Sequence, residues 1–191
     1  MKVENIAWCL PRPRKRNKYI GGFPLYFEEM LMRELGYPST VLHPFGGMAE
    51  IGLRVDLKRK VKPDIVGDAH TLPFRDNQFG ATVLDSPYSV KYSKRLYQGS
   101  KVHYSKFVEE AVRVTRELGF VVVYHMIATP TPRHTVLVKR ILIETRLSHV
   151  ARIVHVNLKD SKLYKVSGEG EIDNDVIRET FDNKKLTEVF N

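Results

Sequence analysis

Four short apolar segments, 39–42, 53–57, 64–67 and 81–84, each run into a glycine pair or an aspartate, and this recurrence limits the possible folds more than any other feature of the chain. Apolar runs of this length, bounded by turn residues, read as buried strands. The first leads into His43-Pro44-Phe45-Gly46-Gly47-Met48-Ala49, the second closes at Asp56, the third meets Gly67-Asp68-Ala69, and the fourth meets Asp85-Ser86-Pro87-Tyr88. Helical periodicity lies on either side. From Pro24, placed in the first turn, Phe27, Leu31 and Leu35 share one face, with Gly36 as the stop. From Tyr104, the residues Phe107, Val108, Ala111, Thr115 and Leu118 mark an amphipathic helix that stops at Gly119. Phe120–Tyr124 reads as a buried central strand, a further helix is expected around 135–146, and a strand around 152–158. The alternation predicts an α/β fold: a mainly parallel, doubly wound sheet with helices on both faces and its site at the carboxyl ends of the strands. Too few residues separate the first two strands for a full crossover helix, so that connection is expected to be short or irregular.

A length of 191 residues suits one α/β core. The expected division is a basic N-terminal arm over 1–22, one domain over 23–160, and a polar extension over 161–191 packed on the same domain, with Val176, Ile177 and Phe181 in one short helix. A net charge of +9 favours encounter with polyanions. Two cationic segments could supply that contact. Arg12, Arg14, Lys15, Arg16 and Lys18 lie in the arm, while Lys91, Tyr92, Lys94, Arg95 and Tyr97 interleave cations with rings that could stack on bases. No apolar run approaches the ~20 residues that cross a bilayer, and the expected location is the cytoplasm. The lone Cys9 excludes an internal disulfide and reads as a small buried hydrophobe. His70, His125 and His134 lack metal-ligand spacing, and no metal is expected.

The strand ends carry the chemistry. A turn without side chains, Gly46-Gly47, lets backbone approach a ligand closely. Asp56 could accept both hydroxyls of a ribose, and Asp68 could accept an adenine amino group while the N–H of Ala69 meets a ring nitrogen. Asp85 and the Ser86 carbonyl could accept the hydrogens of an aromatic amine and so raise electron density on its nitrogen, with Tyr88 as a stacking platform for a base outside a duplex.

The stretch from Pro63 to Phe79 resembles the third-strand region of the class I methyltransferases that bind S-adenosylmethionine. Three further places are similar to the amino-methyltransferases acting on adenine N6, cytosine N4 or guanine N2. Phe23-Pro24 is similar to the segment that lines the methionine end of their cofactor. His43-Pro44-Phe45-Gly46-Gly47 resembles their Asp-Pro-Phe-x-Gly loop, and Asp85-Ser86-Pro87-Tyr88 resembles their Asp/Asn-Pro-Pro-Tyr/Phe motif. His43 stands where that family has an acid, Ala49 where it often has glycine, and Ser86 where it has the first proline. The resemblance covers Phe23 to Tyr124. It implies a Rossmann-like methyltransferase fold, S-adenosylmethionine held by Phe23, Pro24, His43, Pro44, Phe45, Gly46, Gly47, Asp56, Asp68, Ala69 and Asp85, and catalysis by Asp85, Ser86, Pro87 and Tyr88. The implied reaction is methylation of an exocyclic base amine, with DNA (adenine N6 or cytosine N4) favoured over transfer or ribosomal RNA. A catalytically silent nucleic-acid-binding module on the same fold is the alternative of another class.

Overall fold

A computed structural model describes residues 2–12, 22–87, 103–145 and 151–162. The elements are β1 (Glu4–Leu10), α1 (Phe27–Glu34), β2 (Val41–His43), β3 (Leu53–Asp56), a 3₁₀ turn (Arg59–Val61), β4 (Ile65–Val66), β5 (Phe79–Leu84), α2 (Tyr104–Val114), β6 (Thr115–His125), β7 (Thr135–Thr145) and β8 (Arg152–Lys159). They build one eight-stranded sheet in the order β1-β7-β8-β6-β5-β2-β3-β4. Every neighbouring pair is parallel except those of β8, which runs antiparallel to both β6 and β7. The chain steps outward from β2 through β3 to β4, then returns to the other side of β2 as β5. That reversal is the switch point of a Rossmann-like sheet, and the crevice it opens lies beyond the carboxyl ends of these strands.

Each helix covers one face because its apolar stripe requires burial. Phe27, Leu31 and Met32 of α1 pack on Val41, Val83, Val122 and Ile141. Phe107, Val108 and Ala111 of α2 pack on Leu84, Val121 and Val123 from the opposite side. The stop after α1 is a Schellman turn: Gly36 has φ 68° and donates to the Arg33 carbonyl (3.1 Å), while Tyr37 donates to that of Met32 (2.8 Å). As expected, β2 and β3 are joined without a helix. Among the described residues no helix is long and apolar enough to cross a membrane.

Five expectations change. The helix expected around 135–146 is strand β7; its Thr135, Val136, Val138, Ile141, Ile143 and Thr145 are β-branched, and Ile141 and Ile143 alternate inward at strand period. The arm expected over 1–22 is strand β1 across 4–10, laid parallel to β7 and tied to it by Lys139, which bridges Glu4 (3.0 Å) and Glu34 of α1; residues 13–21 lie outside the described ones. Cys9 is exposed, because Trp8 and Leu10 take the inward positions of that strand. Pro24 precedes the first helical turn, its carbonyl accepting from the N–H of Phe27 (3.2 Å). Finally, α2 ends at Val114 and residues 115–119 already belong to β6. Between the pairs Phe79↔Thr115 and Ala81↔Phe120, β5 advances two residues and β6 five, so the surplus is taken up in a bulge. Gly119 sits within it, where a Cβ would meet the Gly80 carbonyl oxygen at 2.8 Å. It permits a close backbone approach and does not stop a helix.

Candidate active site

Strands β2, β3, β4 and β5 are parallel neighbours, so their carboxyl ends share one edge and bring His43, Asp56, Gly67-Asp68 and Asp85 into one row. The turn after β2 is folded by hydrogen bonds from its own glycines. Gly46 donates to the Val55 carbonyl at 2.8 Å, and Gly47, at φ 45°, donates to Asp56 Oδ2 at 3.0 Å. Asp56 Oδ1 accepts from the N–H of Lys58 at 2.8 Å. The carboxylate is 2 % exposed, and each oxygen keeps acceptor capacity beyond its one backbone bond. Gly46 is required for a reason the sequence reading missed: a Cβ there would meet Cβ of Arg54 at 2.5 Å, so the missing side chain lets the turn pack on β3.

A second carboxylate grips the far end of this turn. Glu28, in the first turn of α1, accepts the N–H of Glu50 at 3.0 Å and that of Ile51 at 3.1 Å. Burial raises its pKa against the opposing effect of those two N–H groups. His43 Nε2 lies 3.8 Å from Glu28 Oε1, too far for a hydrogen bond, and has no partner. Burial drives the pKa of this imidazole down to about 4; a backbone hydrogen bond with Ile51 opposes the shift and the charge of Arg54 adds to it. The ring is therefore neutral at physiological pH. Phe23 stands 6.0 Å from it, with Phe27 and Tyr124 at 4.7 and 5.3 Å from Phe23. Pro24 and Pro44 are buried, and Phe45 packs edge-on against Phe107 at 5.0 Å.

Beyond β4, Asp68 Oδ1 accepts the backbone N–H of His70 (2.9 Å) and lies 2.6 Å from its Nδ1. Burial works against the charge on Asp68, yet these two contacts and the imidazole beside it hold its carboxyl below the usual range. His70 Nε2 in turn accepts from the His103 N–H at 3.0 Å, so the ring links the loop to the start of α2. Ala69 is buried against α2. The rest of the loop is held from α2 as well. Arg113 donates to the carbonyls of Phe74 (2.8 Å) and Leu72 (3.1 Å), to Asp76 (2.8 Å) and to both oxygens of Glu110 (2.7 and 2.8 Å), while Glu110 Oε2 accepts the N–H of Leu72 at 2.7 Å.

At the end of β5, Asp85 stands near Tyr124, whose hydroxyl is pushed up in pKa by burial and then by the Asp85 charge. Ser86 is buried at 3 % exposure and Pro87 is half-buried. Tyr88 and the Lys91, Tyr92, Lys94, Arg95, Tyr97 group lie outside the described residues, as do Arg14, Lys15, Arg16 and Lys18; Arg12 is described and exposed. Sequence reasoning thus places the row at the strand ends but misses Glu28, His70, Glu110 and Arg113. Two of these carried a readable signal. Glu28 borders the apolar face defined by Phe27 and Leu31, and His70 stands two residues after Asp68, within reach of an Asx-type turn.

No protein-family model matches the chain, and no curated protein matches it. Among solved structures, a Burkholderia thailandensis 1,6-didemethyltoxoflavin-N1-methyltransferase, with bound 1,6-didemethyltoxoflavin and S-adenosylhomocysteine, is 11% identical with a TM-score of 0.49 over 69% of this chain and 76% of that one. The Escherichia coli protein yhhF, described as a candidate methyltransferase, is 13% identical with a TM-score of 0.49 over 80% and 92%. A SAM-dependent methyltransferase of Aquifex aeolicus is 12% identical with a TM-score of 0.42 over 70% and 89%. Similarity of this degree concerns fold, and the fold assignment rests on the strand order itself.

Proposed function

We propose that this chain is an S-adenosylmethionine-dependent methyltransferase acting on an exocyclic amino group of a nucleic-acid base. One observation carries the reading: the Gly46-Gly47 turn with Asp56 and the Asp85-Ser86-Pro87 segment emerge from adjacent parallel strands on one edge of the sheet. The residues fit the cofactor. Asp56 has acceptor capacity for ribose hydroxyls, Asp68 is held ionised for an adenine amino group beside the N–H of Ala69, and the unpartnered Nε2 of His43 lies with Phe23 and Pro24 where a methionine end would be received. When bound, the cofactor supplies an electrophilic methyl group on a sulfonium.

Asp85 and the Ser86 carbonyl accept the hydrogens of the amine, which concentrates its lone pair on nitrogen and aligns it for attack. Tyr88 stacks on the base. The net charge of +9, with Arg12, Arg14, Lys15, Arg16 and Lys18 in one segment and Lys91, Lys94 and Arg95 in another, suits a phosphate backbone, and DNA is favoured over RNA.

The test is transfer of a labelled methyl group from S-adenosylmethionine to duplex DNA, single-stranded DNA and transfer RNA, with nucleoside mass analysis. Label on adenine N6 or cytosine N4 in a DNA pool is expected. Asp85→Ala should abolish transfer while leaving calorimetric binding of S-adenosylhomocysteine within about threefold, since the glycine turn, Asp56 and Asp68 still hold the cofactor while the amine loses its acceptor. Salt-sensitive nucleic-acid binding with no label in any pool would replace the enzyme reading with the silent binding module.

A further inference from the structure

The turn that bears Gly46 and Gly47 is gripped at both ends by carboxylates. One is local: Asp56 lies on the neighbouring strand and holds Gly47. The other comes from a separate element. Glu28 belongs to α1, on one face of the sheet, and reaches residues 50 and 51, twenty-two and twenty-three positions along the chain. Between these anchors the turn closes on itself through the Ala49 N–H to the Gly46 carbonyl at 2.8 Å. The geometry at Glu28 is asymmetric. Oε1 alone accepts from both Glu50 (3.0 Å) and Ile51 (3.1 Å), while Oε2 duplicates the bond to Glu50. A single, correctly placed oxygen therefore meets both donors. Burial disfavours the ionised form, the two backbone N–H groups favour it, and the nearby Glu50 carboxyl disfavours it again, with burial the largest of these effects. His43, whose Nε2 lies 3.8 Å from Oε1, is neutral.

We propose that Glu28 is a positioning residue for the cofactor turn, acting through the reach of one oxygen and not through its charge, so that the seating of α1 sets the geometry of residues 46–51. The proposal rests on the reading of that turn as the cofactor site, but its first measurement does not need a cofactor. Phe27 and Leu31, on either side of Glu28 in the helix, are fully buried, so α1 cannot rotate to follow a shortened side chain. Glu28→Asp keeps the charge and loses the reach; Glu28→Gln keeps the reach and loses the charge.

The experiment is hydrogen exchange of the Gly46, Gly47 and Ala49 amides, together with calorimetric binding of S-adenosylhomocysteine, in the full chain and in Glu28→Gln, Glu28→Asp and Glu28→Ala. The expected result is about tenfold faster exchange at these three amides in the Asp and Ala variants, at most about threefold faster exchange in the Gln variant, whose oxygen keeps the Oε1 place while its amide nitrogen gives up the second bond to Glu50, and unchanged protection in α2. Affinity for S-adenosylhomocysteine should fall by about tenfold in the Asp and Ala variants and stay within about threefold of wild type in the Gln variant. An intact site in Glu28→Asp with a damaged one in Glu28→Gln would overturn the proposal in favour of a role for the charge. Unchanged exchange at all three amides in Glu28→Ala would overturn it outright. Faster exchange in a protein that binds no S-adenosylhomocysteine at all would leave Glu28 as the support of the turn and remove the cofactor reading instead.

Discussion

Replacing His43 by Asn turns the burial of this imidazole into a measurable pH dependence. The folded-state pKa is depressed from 6.5 to about 4, with desolvation the largest cause. Between those two values the unfolded chain binds the proton and the folded chain does not, so stability is lost as pH falls from 6.5 towards 4 and is constant above 6.5. The depression, 6.5 − 4, is about 2.5 units, and at about 1.36 kcal/mol per unit the folded state loses about 3 kcal/mol over that window. Glu28, facing the ring from α1, works in the opposite sense, since its raised pKa makes the folded state gain stability as pH falls through that value. The charge of Arg54, from β3, adds to the push against protonation of the ring. The comparison is therefore made in a Glu28→Gln background, which silences the opposing titration. Urea unfolding at pH 7, 6, 5 and 4 gives the free energies. The His43 protein should lose about 3 kcal/mol more than the His43→Asn protein between pH 7 and pH 4, with no difference in slope above pH 7. Parallel pH curves for the two proteins would refute the reasoning, because they would mean that the imidazole reaches water or a partner when charged.

Three other substitutions have expected outcomes. Asp56→Asn keeps one acceptor but turns an amide donor towards either Gly47 or Lys58, so melting temperature and S-adenosylhomocysteine affinity should both fall, the stability loss being about 1–3 kcal/mol for one unmet buried donor. Lys159→Met removes the ammonium that donates to the Val112 and Thr115 carbonyls and to Asn77 (2.8, 2.7 and 2.8 Å) at the end of α2; chemical denaturation should show a loss of about 2–4 kcal/mol, discounted for the burial that lowers the pKa of the lysine, and calorimetry should show unchanged cofactor affinity. Arg113→Lys keeps the charge but cannot reproduce a planar fork spread over Leu72, Phe74, Asp76 and Glu110, and should cost about 2 kcal/mol in urea unfolding together with faster hydrogen exchange in residues 69–72.

What was legible in the sequence is the part of the molecule whose geometry is set locally. Strand ends are announced by their own turn residues, so Gly46-Gly47, Asp56, Asp68 and Asp85 could be placed in order before any pairing was known, and parallel neighbours then put them on one edge. The half of the sheet beyond β6 was less legible because nothing local distinguishes its alternatives. Residues 135–145 carry apolar side chains at both helical and strand spacings, and what decides for a strand is β8 on one side and β1, from the far end of the chain, on the other. For the same reason β1 could not be separated from the basic residues that follow it. Its inward pair, Trp8 and Leu10, has meaning only once Ile143 and Thr145 are known to lie alongside.

Within the site, charge type was readable and partner choice was not. Glu28 and Glu29 are adjacent acids in the first turn of α1, where either would be favoured by the helix dipole, and only one meets the turn. The helix is rotated by the burial of Phe27, Leu31 and Met32, which leaves Glu29 exposed and swings Glu28 over residues 50 and 51. His43 follows from the same packing. At the end of β2 a second carboxylate facing Glu28 at this distance would have to lose its charge or push the pair apart, whereas a neutral imidazole is accommodated at 3.8 Å. His43 and the acid that sequence reasoning overlooked are thus two halves of one arrangement: with a carboxylate supplied from the helix, the strand end does not carry a second one.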